Sequence, residues 1–255
     1  MRRPLIFLLP ILILAGWEIV AIVINNPFIL PRLGTVVPIL IHPFSTRYTL
    51  GSASLAEHAA ISLERVAIGF AVAALVAIPL GIGMGRSPFL HDFFDSTVEL
   101  LRPIPPLAWV PLSLAWFKLG LYSVVFIIVI GAFFPILLNT IDGVKGIKIT
   151  WLEVATTLGA RERQILSRVV LPAAAPTIWT GLRVGFGVAW MCVVAAEWLP
   201  GTTSGLGYLI LYAYNFGQTS LIIAGMVVIG VIGILVDFGF KGAARRWFSW
   251  RSLER

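Results

Sequence analysis

The chain has 255 residues, of which 58% are hydrophobic and 12% charged, and its net charge is +7. Soluble domains carry about 25% charged residues, so this composition excludes an ordinary soluble protein and indicates a chain solvated mainly by lipid. The basic residues stand between long apolar runs and not in a basic patch with interleaved aromatic residues, which argues against nucleic-acid binding.

The first apolar stretch, residues 5–24, follows Met1-Arg2-Arg3-Pro4. It is too long for the apolar region of a signal peptide and shows no clear cleavage site, so we interpret it as a retained membrane anchor. Glu18 alone interrupts it, and we expect this carboxylate to find a partner inside the helix bundle. The outer segment that follows contains an apolar run over 36–41 and is predicted to lie along the membrane surface as a short amphipathic element.

Six apolar stretches in all are long enough to cross a hydrocarbon core of about 30 Å. Lipid cannot satisfy backbone polar groups, so each stretch is predicted to be a helix and the fold to be all-α. The stretches are 5–24, 60–84, 98–117, 121–141, 178–199 and 221–240. The third must be kinked or partly unwound, because it contains Pro103, Pro105, Pro106 and Pro111.

The distribution of Lys and Arg predicts the orientation, since cytoplasmic loops are enriched in both. With the N-terminus inside, the outer connections hold only Arg32, Arg47 and Lys118. The inner side then holds Arg2, Arg3, Arg86, Lys145, Lys148, Arg161, Arg163, Arg168, Lys241, Arg245, Arg246, Arg251 and Arg255. We therefore expect a multi-pass protein of the inner (plasma) membrane with both termini in the cytoplasm.

This topology divides the chain into three parts. Residues 1–59 comprise the anchor and the outer surface segment, and residues 60–240 form the transmembrane core. Residues 241–255 form a basic cytoplasmic tail. The core contains a long inner loop over 142–177, which is too large to be a simple turn.

The inner loop is predicted to form two short helices that are separated at Gly159, because glycine tolerates the left-handed conformation found at helix C-termini. In the second helix, Ile165, Leu166 and Val169 share an apolar stripe. Pro172 and Pro176 are expected to end that helix before the next span. Such an element suits docking into a groove of a cytoplasmic partner, whereas the alternative is an amphipathic loop that rests on lipid headgroups.

The loop resembles the "EAA" signature of ABC importer permeases, which reads Glu-Ala-Ala, three residues, Gly, nine residues, Ile, one residue, Leu-Pro. Here the match is Glu153-Val154-Ala155, Gly159, Val169 and Leu171-Pro172, with every spacing kept. Val154 and Val169 are small conservative departures. The resemblance selects partner docking over the headgroup alternative.

Further motifs resemble the nitrate, sulfonate and taurine branch of these permeases. They are Ser62-Leu63-x-Arg65-Val66-x-x-Gly69-Phe70, residues 102–111, Gly181-Leu182-Arg183, Ala189-Trp190, Ala195-Ala196-Glu197 and Gly205-Leu206-Gly207-Tyr208-Leu209. The last of these is predicted to be an outer re-entrant or surface turn and a contact for a binding protein. The resemblance covers the chain from Trp17 onward.

The resemblance implies a type I ABC importer permease fold with a cytoplasmic coupling loop. It also implies two permease copies around one pathway, two ATP-binding subunits beneath them, and a periplasmic or lipid-anchored solute-binding protein. Glu153 is expected to face basic groups of the ATPase, and Gly159 to shape the turn. The implied ATPase-coupling residues are Glu153, Ala155, Thr156, Leu158, Gly159, Ala160, Leu171 and Pro172.

The chain carries no ATP-hydrolysing motif of its own. Its glycine-rich stretch Gly81-Ile-Gly-Met-Gly85 lacks the lysine of a phosphate loop, and these glycines are predicted to permit close helix packing. We therefore expect no enzyme activity, with ATP and Mg bound by partner subunits and no cofactor in this chain.

Metal chemistry is not expected either. Cys192 is the single cysteine, which excludes an internal disulfide and a cysteine-based metal site. His42, His58 and His91 are scattered without ligand spacing, so we interpret them as solvated or interfacial and predict no metal site.

Candidate residues of the substrate pathway are the charged and aromatic groups inside the spans. Arg183 either attracts an anionic substrate, extends to the inner surface, or pairs with a carboxylate. Glu197 gates or repels an anion, holds a helix pair together, or lies at the interface. Trp190, Trp109 and the proline-rich stretch at Pro105 are candidates for lining a cavity, and membrane anchoring or core filling is the alternative for the tryptophans.

The nature of the cargo stays open at this point. Nitrate, sulfonates, taurine and bicarbonate are the oxyanion candidates, and an uncharged metabolite such as a thiamine precursor is the alternative. A secondary transporter is a remote alternative, since it predicts paired mid-membrane charges and an inverted repeat, and it leaves the loop signature unexplained.

Overall fold

The computed structural model describes residues 5–49 and 52–248, with side chains described from residue 8. Every regular element in this part of the chain is a helix. The predicted basic tail extends past it, since residues 249–255 lie outside the described residues. The helices are α1 (Leu5–Ile24), α2 (Leu33–Ile41), α3 (Leu55–Arg86), α4 (Pro88–Leu101), α5 (Val110–Phe117), α6 (Leu121–Lys145), α7 (Ile149–Thr157), α8 (Glu162–Ile165), α9 (Leu171–Ala196), α10 (Leu206–Asn215) and α11 (Thr219–Trp247).

Four of the described helical stretches are long and apolar enough to cross a membrane. These are Leu55–Arg86, Leu121–Lys145, Glu162–Ala196 and Thr219–Trp247. The first and third predicted spans coincide with shorter apolar helices, Leu8–Ile24 and Pro106–Phe117. Apart from the third span, which is interrupted, the predicted spans fall largely on continuous apolar helix, and the all-α membrane fold is confirmed.

The third predicted span is partly unwound, as expected from its prolines. α4 ends at Leu101, a 3₁₀ turn covers Pro106–Trp109, and α5 begins at Val110. Pro103, Pro105 and Pro106 lack the N–H that would continue a helix, so the chain over 102–105 forms a turn and a bend and no helix. The interruption leaves α5 with 8 residues, which is too short to span a membrane alone.

The described residues group into two compact units, one within 63–201 and 233–248 and the other within 5–62 and 202–232. In the first unit α6 is the central helix. Ile127, Ile136 and Leu137 on α6 are completely buried. Because α6 is covered by neighbours on several sides, its sequence is apolar around the whole helix and not along one stripe.

Glycines let two neighbours approach α6 closely. A Cβ atom on Gly81 of α3 would lie 2.7 Å from Thr140, and one on Gly85 would lie 2.6 Å from Val144. On α9, a Cβ atom on Gly185 would lie 2.7 Å from Ile136. These distances are too short for real carbon atoms, so only glycine permits this helix separation. The packing role predicted for the 81–85 stretch is confirmed.

In the second unit the anchor helix is attached to the surface segment by two side chains. The indole N–H of Trp17 donates to the carbonyl of Pro31 at 2.9 Å. Glu18 accepts the backbone N–H of Leu33 at 2.8 Å. Leu33 is the first residue of α2, so the partner of Glu18 is the N-terminus of a surface helix, where a carboxylate is favourable. The predicted amphipathic element at 36–41 lies in α2.

Candidate functional site

The signature loop begins with α7, which ends in a Schellman motif. Gly159 has φ +76, a left-handed conformation that glycine adopts without steric cost. The N–H of Ala160 donates to the carbonyl of Ala155 at 3.0 Å, and that of Gly159 to Thr156 at 2.9 Å. These two bonds satisfy carbonyls that the helix end would otherwise leave free. The fixed spacing from Ala155 to Gly159 is therefore the spacing of a helix C-cap.

The second half of the loop differs from the prediction. Gln164 accepts the N–H of Arg161 at 2.8 Å at the start of α8, as expected for a short second helix. However, Pro172 does not end that helix, because helical structure continues without a break over Glu162–Ala196. A π-helical turn over Leu166–Val170 widens the helix just before the proline.

The π turn explains how the helix accommodates Pro172. The N–H of Leu171 donates to the carbonyl of Leu166, which is five residues earlier. In an α-helix the acceptor is four residues earlier, so this turn contains one extra residue. A proline, which has no N–H, is tolerated where the regular ladder is already interrupted. The expectation that Pro172 and Pro176 separate the loop from the span was wrong for this reason.

A small apolar core attaches the loop to the membrane helices. Val170, Ala174 and Ile178 form one stripe at spacing i, i+4, i+8 and are buried against Val144 and Ile147. Leu152, Ile165 and Leu166 are partly buried against the same cluster. The loop is therefore attached to α9 through packed side chains.

Four of the signature positions, Val154, Ala155, Val169 and Pro172, line one groove of about 520 Å³. Ala155 and Leu158 of α7 and its C-cap lie on one wall, and Val169 and Pro172 lie on the other; the full lining is Trp151, Val154, Ala155, Leu158, Arg168, Val169, Pro172 and Ala173. The motif is thus a set of residues that are separated in sequence and adjacent in space.

The outer surface of the loop is open. Leu158 is 81% exposed, and Glu153, Thr156 and Gly159 are exposed beside it. Ala160 and Leu171 are half-buried. Trp151 and Val154 line the same groove and are also exposed, at 43% and 59%, so the three side chains form a contiguous apolar patch, which is typical of an interaction site.

Arg183 lies in an ion-pair cluster between α9 and α11. Its Nε is 2.5 Å from Oδ1 of Asp237, and Nζ of Lys241 is 2.8 Å from Oδ2 of the same carboxylate. The three side chains are between 38% and 45% exposed, so the cluster is accessible from outside the chain. Two cations share one carboxylate, which leaves a net charge of +1.

Glu197 occupies a different environment. Its side chain is completely buried, and its Oε1 is 2.8 Å from a guanidinium nitrogen of Arg65. Arg65 belongs to α3 and Glu197 follows the last residue of α9, so the pair joins these two helices. Of the three roles considered from sequence, holding a helix pair together is the one that this geometry supports.

The partners Arg65 and Asp237 were not identified as site residues from sequence. Their position inside apolar spans was a signal in the sequence, because ionisable residues are rare there and pair with one another. The sequence does not show which residue pairs with which, since the two members of each pair are more than 50 residues apart along the chain.

The aromatic candidates fall into two classes. Trp190 is buried and lies against α11 at Gly233, as a core-filling residue does. Trp109 is partly exposed, and its indole N–H is buried without a hydrogen-bond acceptor in the described part of the chain. Pro105 is exposed at the interruption that precedes it.

His58 also differs from the sequence interpretation, because it is 4% exposed and not solvated. Its Nδ1 accepts the backbone N–H of Gly205 at 3.0 Å, and Ser62 accepts that of Leu206 at 2.8 Å. The stretch 205–209 is not a turn: it opens α10, whose residues Leu206 and Leu209 are buried. Gly205, with φ +110, begins this helix.

Comparison with solved structures shows the fold. The structure of the MetNI methionine ABC transporter in inward facing conformations is similar to this chain with a TM-score of 0.63. The similarity covers 73% of this chain and 92% of that chain, at 17% sequence identity. A second crystal form of the same transporter gives a TM-score of 0.59.

Comparison with protein sequences shows the family. An ABC transporter permease protein of Methanocaldococcus jannaschii is 56% identical, over 97% of this chain and 92% of that protein. The taurine transport system permease protein of Escherichia coli is 36% identical, over 95% and 87%. The nitrate import permease protein of Synechocystis is 39% identical, over 84% and 77%. Residues 77–248 match the binding-protein-dependent transport system inner membrane component family, and the chain belongs to this family of ABC importer permeases.

Proposed function

We propose that this permease carries a small oxyanion, delivered by a binding protein, and that residues 149–160 couple its movement to ATP hydrolysis in partner subunits. The observation that carries the coupling is that Val154 and Ala155 from one end of the signature and Val169 and Pro172 from the other line one groove beside an exposed helix end. The observation that supports the cargo is the set of relatives. Their printed cargoes are taurine, aliphatic sulfonates, nitrate and bicarbonate, and each is or contains a small oxyanion.

The charge of the chain supports the same class of cargo. Arg183 and Lys241 share the single carboxylate of Asp237, and this partly exposed cluster retains a net positive charge. A cluster of this sign raises the local concentration of anions. The fully buried Glu197 is compensated by Arg65, so its charge does not repel an anion.

The assembly that we infer contains two copies of the permease and two ATP-binding subunits. ATP and Mg bind to the latter, and both termini of the permease face the cytoplasm. Leu158 inserts into the ATPase, and Glu153 faces basic groups of that partner. Closure of the two ATPases draws the two loops together, and the packed stripe at Val170 and Ala174 transmits this motion to α9.

The cargo is tested with the permease reconstituted in proteoliposomes together with its ATP-binding subunits and binding protein. Uptake of labelled taurine, ethanesulfonate, nitrate and bicarbonate is measured with ATP inside, and an uncharged pyrimidine precursor of thiamine is the reference. Uptake of at least one oxyanion, with no uptake of the pyrimidine, is the expected result. ATP-dependent uptake of the pyrimidine without oxyanion uptake contradicts the proposal.

The coupling is tested by Gly159→Ala. A Cβ at Gly159 meets no neighbour within 4 Å, so the substitution introduces only the strain of a left-handed conformation, about 1–2 kcal/mol. We expect a several-fold loss of the ATPase stimulation caused by loaded binding protein, with the free energy of unfolding of the permease lowered by no more than this strain. Gly187→Ala is the matched control, because Gly187 is equally open but lies within α9. Equal behaviour of both variants contradicts the coupling role.

A further inference from the structure

A buried imidazole caps the first turn of α10. The first N–H groups of a helix lack partners within the helix, and here two of them are satisfied by side chains one turn apart on α3. His58 accepts from Gly205 at 3.0 Å and Ser62 accepts from Leu206 at 2.8 Å. Both caps are withdrawn from solvent, since His58 and Ser62 are buried.

The two caps differ in chemistry. A serine hydroxyl accepts a hydrogen bond at any pH, whereas a histidine accepts at Nδ1 only while it is neutral and carries its proton on Nε2. The imidazolium has two donors and no acceptor. Protonation would therefore set a donor against the N–H of Gly205. It would also add positive charge at the positive end of the helix dipole, in a buried site where charge is unfavourable.

The titratable groups that face His58 include one on its own helix and one on the opposing helix. Glu57 precedes it on α3 and interacts with it electrostatically. This carboxylate is held by Ser54, whose N–H and hydroxyl donate to it at 2.6 Å and 3.0 Å. Tyr208 of α10 stacks on the imidazole with ring centres 6.2 Å apart. The carboxylate favours the charged imidazole, and the hydrogen bond from Gly205 disfavours it.

We propose that His58 is a proton-sensitive cap, which holds the start of α10 while the imidazole is neutral and releases it when a proton is taken up. The released state exposes His58 and frees the N–H groups of Gly205 and Leu206. In the orientation proposed above this end of α3 faces outside, so the cap responds to the external pH. Acidification then loosens α10 and lowers transport, even though no proton is carried.

The test is hydrogen–deuterium exchange on the permease, assembled with its ATP-binding subunits in nanodiscs. The observable is the protection factor of a peptide covering 203–209, which corrects for the pH dependence of intrinsic exchange. If the closed state excludes the proton, each pH unit below about 6.5 makes opening about tenfold more frequent. We expect protection to fall about tenfold between about pH 7.5 and about pH 5.5.

Three variants make the test specific. His58→Asn retains an acceptor near Nδ1 that does not titrate, so protection is expected to be the same at both pH values. Ser62→Ala removes the other cap, and is expected to lower protection at both pH values while the pH effect remains. Glu57→Gln is expected to move the loss of protection to lower pH, because the carboxylate no longer favours the imidazolium.

The outcomes are decisive. Wild-type protection that does not change with pH overturns the proposal, as does a fall of equal size in His58→Asn. If His58→Asn does not fold, Glu57→Gln decides. A pH at which protection is lost that is the same in Glu57→Gln as in wild type overturns the proposal. Because no cargo is used, these results are independent of the proposed oxyanion transport.

Discussion

Arg65 and Glu197 form an ion pair in which the carboxylate is completely buried and the guanidinium is 12% exposed. Removing two charges from water is costly, and their mutual attraction offsets this cost only while both are present. The pair therefore contributes less to stability than the loss of either partner would suggest. Its role is to determine which residues of α3 and α9 lie opposite each other.

Arg65→Leu is expected to lower the free energy of unfolding by about 3–5 kcal/mol, because it leaves the buried carboxylate without its charged partner. The combined variant Arg65→Leu with Glu197→Leu is expected to recover most of this loss. Thermal unfolding of the purified permease in detergent measures both effects. A double variant that is as unstable as the single one would show that other contacts, and not the pair, account for the loss.

Asp237→Asn is expected to have a smaller effect. The side chains of Arg183, Asp237 and Lys241 are more than one third exposed, so screening weakens the interaction, and its loss lowers stability much less than the loss of a buried partner does. α9 and α11 also stay attached through Trp179, whose indole N–H donates to the carbonyl of Phe240 at 3.0 Å. The same unfolding assay checks this; a loss as large as that of Arg65→Leu would contradict the weak contribution of the cluster.

Among the elements, the π turn over Leu166–Val170 determines how the loop is oriented on α9. A π turn contains one residue more than an α-helix of the same length. The extra residue rotates Ile165 and Leu166, at the start of the turn, about the helix axis relative to Val169 and Pro172 at its end. Ile165 and Leu166 pack against the small core, and Val169 and Pro172 line the groove.

Deletion of Ser167 is expected to convert the π turn into regular α-helix. Residues before the deletion then rotate by about 100° relative to those after it, as one residue of an α-helix does. Ile165 and Leu166 leave the core, and stimulation of ATPase activity by loaded binding protein is lost while helix content is unchanged. Circular dichroism and ATPase assays measure the two quantities. Ser167→Ala is the control that retains the extra residue, and a deletion variant that couples like this control would contradict the role of the turn.

At the scale of the whole molecule, the positive-inside distribution predicts that the loop and the surface segment lie on opposite sides of the membrane. In cells that make the permease without its ATP-binding subunits, Leu158→Cys is expected to react with an impermeant maleimide only after the cells are opened. Phe44→Cys is expected to react in intact cells. Both side chains are highly exposed, and the native Cys192 is buried and is replaced by alanine in both variants. Labelling of both positions from the same side would refute the topology.

The sequence by itself determined the membrane fold, the six apolar segments, the proline interruption and the signature loop. These features are local: hydropathy, proline content and the spacing of a helix C-cap act within a few residues of each other. The left-handed Gly159 and the close approach at Gly81 and Gly85 follow the same rule, because glycine has a direct conformational and steric meaning at such positions.

Only the tertiary structure decided which distant residues meet. Arg65 and Glu197 are 132 residues apart, and His58 and Gly205 are 147 residues apart. The sequence showed charged or polar groups in apolar segments, but a side chain within a span has several possible neighbours on other helices. The continuation of the helix through Pro172 could not be predicted from the sequence. The energetic cost of a proline in a helix depends on whether the regular pattern of backbone hydrogen bonds is already interrupted there. Pairing and register are properties of helix packing, and packing is set by all the contacting surfaces together.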